Sequence, residues 1–163
     1  MLKKYIHCIF IILLFTLLFT GCLNEKESPF YKSEWVMQNY DANDQLYYHH
    51  LILQPKGQVT LRVSYADSTN IIVWTGTYKY NSRKIKFNFT ECIRYENGEI
   101  TGKYTSGQLI KYYNGEFYYS LGLIQEGPDK ENYHLQLIRP KNYFYGDGSD
   151  IFGNPLEEFV KFE

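Results

Sequence analysis

Apolar and polar positions alternate along most of the chain. In the segment 58–65, Val59, Leu61, Val63 and Tyr65 fall on one parity and Gln58, Thr60, Arg62 and Ser64 on the other. Lys84–Phe89 repeats the pattern, with Ile85, Phe87 and Phe89 opposed by Lys84, Lys86 and Asn88. Residues two apart on a strand project from the same face, so such segments bury one side and wet the other. Less regular versions run over Ser33–Asn39, Gln45–Leu53, Ile71–Tyr80, Cys92–Tyr95, Glu99–Tyr104, Gln108–Tyr113, Glu116–Leu121 and Tyr133–Arg139. Tyrosine, phenylalanine and β-branched residues fill them, as suits a pleated surface. Between them stand Pro55-Lys56-Gly57, Asn81-Ser82-Arg83, Asn97-Gly98 and Asn114-Gly115, and Gly127-Pro128-Asp129 begins a longer loop. The two Asn-Gly pairs suit the positive φ of tight hairpin turns. Short connections of this kind join antiparallel strands, because parallel ones need long crossovers.

The pattern predicts an all-β domain: an antiparallel up-and-down meander of about eight to ten strands. Exposed edges would invite pairing with other chains, and closing or nearly closing the meander into a barrel hides them. One residue breaks the alternation. Glu91 shares the parity of Phe87, Phe89, Ile93 and Tyr95. An unpaired buried carboxylate is costly, so a bulge within Thr90–Cys92 is expected to turn it outward. At the end of the chain, Asn154-Pro155 with Glu157 suits a short helix, while Phe159-Val160-Lys161-Phe162 alternates like a strand. The reading leans to the strand.

Residues 1–22 have a different composition. Lys3 and Lys4 precede a run from Tyr5 to Thr20 that is apolar apart from His7, Cys8 and Thr16. A short positive stretch followed by such a run reads as a secretory leader, and its length approaches that of a membrane-spanning helix. Leu18-Phe19-Thr20-Gly21-Cys22 resembles the lipobox of bacterial lipoproteins. That resemblance implies cleavage before Cys22, acylation of its sulfur, and a place in the bacterial cell envelope on the exported side of a membrane. The expected organisation is a signal peptide at 1–21, a lipidated terminus and polar tether at 22–32, and a barrel domain at 33–163.

Composition narrows the possibilities further. The chain has 163 residues, the length of one domain with a leader, is 44% hydrophobic, and carries a formal charge of −1. Disorder and a strongly basic nucleic-acid surface are both excluded as readings. Removing 1–21 takes away Lys3 and Lys4 and leaves the domain more acidic. Of the three cysteines, Cys8 lies in the leader and Cys22 is the lipid site, which leaves Cys92 without an internal disulfide partner. Cys92 reads as a small packing residue.

The domain also resembles small bacterial lipocalin-like lipoproteins. The resemblance is carried by Ser33-Glu34-Trp35, by Leu51-Ile52-Leu53 leading into Pro55-Lys56-Gly57-Gln58-Val59, and by Trp74-Thr75-Gly76-Thr77-Tyr78-Lys79-Tyr80 running to Lys84-Ile85-Lys86-Phe87. It implies a lipocalin-like barrel in which an opening tryptophan packs under a late arginine to close one end. Here those residues are Trp35 and Arg139. It also implies a small apolar ligand as partner, with Trp74, Tyr78, Phe87 and Phe89 as the candidate inner wall. The alternative is a structural or interaction protein with a filled core and no ligand.

Catalytic patterns are missing. There is no Gly-x-Ser-x-Gly, P-loop or Gly-x-Gly-x-x-Gly, so the chain reads as non-enzymatic and cofactor-free. His49 and His50 are adjacent on a strand and face opposite sides, so only one could share a pocket with His134, and no metal site is expected. Gly146-Asp147-Gly148-Ser149-Asp150-Ile151-Phe152 echoes a single turn of a calcium-binding repeat, which needs consecutive turns to complete an ion's shell. It reads as a solvated loop. The many tyrosines, 17 in all, suit cross-strand pairing first and a ligand or partner surface second.

Overall fold

A computed structural model describes residues 28–66, 69–127, 130–138 and 159–162. The chain divides into two compact units, Met1–Tyr31 and Lys32–Glu163. Of the first, Ser28–Tyr31 form a turn closed by the Tyr31 N–H on the Ser28 carbonyl at 3.0 Å. The leader, Cys22 and the tether up to Glu27 lie outside the described residues, as do Arg139 and the 146–152 loop.

The described strands of the second unit all pair antiparallel. Its strands are β1 (Ser33–Tyr40), β2 (Leu46–Gln54), β3 (Gln58–Tyr65), β4 (Ile71–Tyr80), β5 (Lys84–Glu96), β6 (Glu99–Tyr104), β7 (Gly115–Gly127), β8 (Lys130–Ile138) and β9 (Phe159–Phe162). The tail is a strand, as its alternation suggests. Eight of the nine close into a ring. β1 to β5 pair in sequence, β7 pairs with β5, β8 with β7, β9 with β8, and β9 returns to β1. β6 lies outside the ring, paired with the far half of β5.

The strands are strongly staggered. Followed through β2, β3 and β4, the ladder from Val36 reaches Ile93 of β5. Followed through β9, β8 and β7, it points to a level before Lys84, a stagger of about a dozen residues. Such a stagger tilts the strands and widens the bore, so large side chains are needed to fill it. Trp35, Leu51, Leu61, Trp74, Phe87, Phe89, Phe117, Leu135 and Phe159 supply them, all buried.

β5 is one continuous strand where alternation suggested two, and the expected bulge joins them. Thr75 pairs with Glu91 and Gly76 with Phe89, so Thr90 is the extra residue. It resets the parity: Phe89 and Cys92 are both buried, while Glu91 faces out to Lys103 at 2.7 Å. Gly76 lies against this bulge. A Cβ there would meet the Asn88 carbonyl oxygen and stand 2.6 Å from the Phe89 Cα, both backbone atoms that cannot swing aside.

Gln108–Tyr113 is not a strand. Gly107 takes φ 91°, and Gln108–Lys111 form a single helical turn, α1. Ile110 in this turn and Tyr113 just after it are both buried and three apart, a helical spacing. Asn114-Gly115 therefore joins a helix to a strand and is not a hairpin turn. Asn97-Gly98 is one, with φ of 52° and 83°.

Gly76→Ala should lower stability by about 2–3 kcal/mol, because the clash is with a neighbouring strand's backbone. Equilibrium unfolding in urea measures it, and a loss under about 0.5 kcal/mol would mean that the wall yields at the bulge.

Candidate functional site

Trp74, Tyr78, Phe87 and Phe89, the expected inner wall, are all buried. Three of them meet in one aromatic cluster. Phe87 and Phe89 stack at 5.8 Å, Phe117 packs edge-on to Phe87 at 5.6 Å, and Tyr113 lies 4.9 Å from Trp74 and 6.5 Å from Phe89. Tyr78 faces Phe87 across the ladder, stacks on Tyr80, and donates its hydroxyl to the Gln54 carbonyl at 3.4 Å. These rings touch one another and leave little room between them. The void lined by Leu51, Leu61, Phe87, Phe89, Tyr113, Phe117, Leu137 and Phe159 has a volume of about 20 Å³. That holds one water molecule at most.

Tyr113 and α1 are the parts that alternation missed. α1 lies against Trp74, whose indole N–H donates to the Leu109 carbonyl at 2.9 Å. Tyr113 follows it into the bore, and its hydroxyl lies 2.9 Å from His49 Nε2. His49 is fully buried, and burial, helped by the nearby His50, lowers its pKa from 6.5 to about 3. The imidazole is therefore neutral at ordinary pH, and it serves as a polar packing residue in an aromatic shell.

Next to α1, Asn114 closes a gap in the wall. β5 parts from β7 after Phe87 and joins β6 at Cys92, so the backbone between has no strand on that side. The Asn114 side chain accepts from the Phe89 N–H and donates to the Phe89 carbonyl at 3.0 Å. One amide thus takes the place of a missing strand residue.

The histidines do not converge. His50 faces the other way from His49 and sits 3.1 Å from Glu34. Among the described residues, no group of three His, Cys, Asp or Glu is arranged to hold a metal ion. Cys92 is buried, and desolvation, partly offset by the Arg94 charge, pushes its thiol up to about 11. A protonated, enclosed thiol is a packing group, not a nucleophile.

Trp35 is buried and donates its indole N–H to Ser33 Oγ at 2.9 Å. Its expected partner Arg139 lies outside the described residues. Across the ladder from Trp35 stands Lys161, whose ammonium lies 5.3 Å over the Tyr133 ring. Neither a family model, a curated protein nor a solved structure matches the chain, so the reading of its function rests on this geometry.

Two measurements probe the cluster. Tyr113→Ala removes the ring that fills the bore, and it should cost about 3–5 kcal/mol while letting benzene or phenol bind in the space left. Failure to gain such binding in a folded variant would show that the wall collapses onto the gap. Between pH 6.5 and about 3 the unfolded chain's His49 is protonated and the folded chain's is not. The stability present above pH 6.5 should therefore fall as pH drops, by up to ~1.4 kcal/mol per unit. In His49→Gln this slope should flatten in urea titrations at stepped pH, and an unchanged slope would assign it to other groups.

Proposed function

We propose that this chain is an exported bacterial lipoprotein, acylated at Cys22, whose barrel is a solid scaffold that works through its surface and not through a ligand held in its bore. The observation that carries this reading is the close packing of the aromatic cluster among the described residues. A barrel that carries a small molecule needs a void of roughly 300 Å³ or more, whereas the described aromatic cluster encloses about 20 Å³. The function is then structural or protein-binding, and the fold is used as a rigid carrier.

The anchor is supported by the order of features in the leader: Lys3 and Lys4, the apolar run, then Thr20-Gly21-Cys22. Two or more acyl chains hold a protein stably on a bilayer, where one holds it only marginally. Among the described residues no helix is long and apolar enough to cross a membrane.

The outer surface offers contact area. Tyr118 and Ile138 are directly paired, and are 43% and 50% exposed. Lys84 lies 5.1 Å over the Tyr118 ring and bonds Glu116 at 3.0 Å. An exposed tyrosine and aliphatic pair with charges at its side has the composition of an interaction surface.

Radiolabelled palmitate supplied to bacteria expressing the full chain should be incorporated, and Cys22→Ala should abolish both the label and the membrane fraction. Unlabelled wild-type protein would sink the anchor. Native mass spectrometry of the detergent-extracted protein tests the scaffold reading separately: no stoichiometric small molecule is expected, and a retained one would restore the ligand-carrier alternative.

A further inference from the structure

At the end of the barrel covered by α1, the ladder places Val63, Ile72 and Arg94 directly side by side on β3, β4 and β5. They continue the inward-facing rows that contain Leu61, Trp74 and Cys92, one step nearer the rim. With Tyr65, Ile71 and Tyr95 they line a half-open groove of about 180 Å³. At roughly 30 Å³ of liquid volume per water, this is space for about six waters, or for a short organic acid.

From this groove we infer a binding site for a small monocarboxylate with a short apolar body. Val63 and Ile72 give the groove apolar surface, and Arg94, paired with Ile72 on the next strand, belongs to the same lining. Among the described residues no carboxylate lies within ion-pair distance of Arg94. Glu96 is the acidic residue on the lining, is exposed, and makes no ion pair with it. Asp41, behind Tyr65, is already engaged. It accepts from the Tyr65 hydroxyl at 2.9 Å and from the Asn43 and Gln45 N–H groups at 2.8 and 3.0 Å.

A guanidinium beside apolar surface, with its donors unspent, matches the two oxygens of a carboxylate in plane. One guanidinium suffices for one carboxylate. A phosphate dianion brings more charge and more acceptor oxygens than the Arg94 side chain alone can meet. The site needs only the rim and is independent of Cys22 and of the filled bore.

The test uses the full chain in nanodiscs of zwitterionic lipid, with amide NMR shifts followed during titration. Hexanoate should give saturable shifts confined to residues around Ser64, Ile72 and Arg94, with affinity about tenfold above that of neutral hexanamide and of inorganic phosphate. Arg94→Gln should reduce hexanoate to the level of hexanamide. Equal binding of hexanoate and hexanamide, unchanged hexanoate binding in Arg94→Gln, tighter binding of phosphate, or no saturable shift would each overturn the site. If Arg94→Gln does not fold, the wild-type comparison of acid with amide decides alone.

Discussion

The barrel depends on β5 serving two neighbours along one edge. Its first residues pair with β7 and complete the ring, while its last residues pair with β6 outside it. Its other edge stays on β4 throughout, so the strand must change partner without leaving the wall. Three devices at the changeover make this possible. Thr90 bulges out and resets which side chains face in. Gly76 lets the bulged backbone come close. Asn114 satisfies both backbone groups of Phe89, which would otherwise sit unpaired at the opening. Each unpaired buried group costs about 1–3 kcal/mol, so the amide is worth more than a surface contact of the same length.

That changeover also determines what fills the bore. The chain leaves the wall through β6 and must return to it at β7, and α1 is the return path across one end. Tyr113 comes in with it and meets Trp74, Phe89 and His49. The wide bore implied by the stagger is thus filled from two sources, the inward rows of the strands and a ring delivered from the connection. His49 belongs to the same assembly. Its neutral imidazole gives the Tyr113 hydroxyl a partner where water does not reach.

Much of this was legible in alternation. β3, β4 and β6 run over the residues that their patterns indicate, and the parity of Glu91 pointed to the bulge before any coordinates. Period two is imposed by burial of one face, so it survives wherever a strand is half-buried. It failed at Gln108–Tyr113 because four helical residues are too few to show a period of 3.6. The inner wall was legible as a set of buried rings at Trp74, Tyr78, Phe87 and Phe89. That they pack against one another was not, because the filling residue Tyr113 comes from a segment whose course across the bore leaves no mark in local sequence. Arg94 was hidden for a related reason: its place beside Val63 and Ile72 follows from the one-residue shift at Thr90.

A filled bore is consistent with what the rest of the chain lacks. Cys92 is the one cysteine after Cys22, so the 33–163 segment has no second cysteine with which to form an internal disulfide that would limit its unfolded state. Its stability must come from packing, and an empty calyx would remove apolar contact from the place where the domain has most of it. Removing one large ring from such a core costs several kcal/mol, a large part of the whole stability of a domain this size. On the scaffold reading proposed above, a solid centre leaves recognition to strand rims and outer faces, where binding does not compete with folding. The Val63–Ile72–Arg94 row is such a place. It borrows the rigidity of the ladder that the filled bore supports, and it leaves the aromatic contacts of that bore intact.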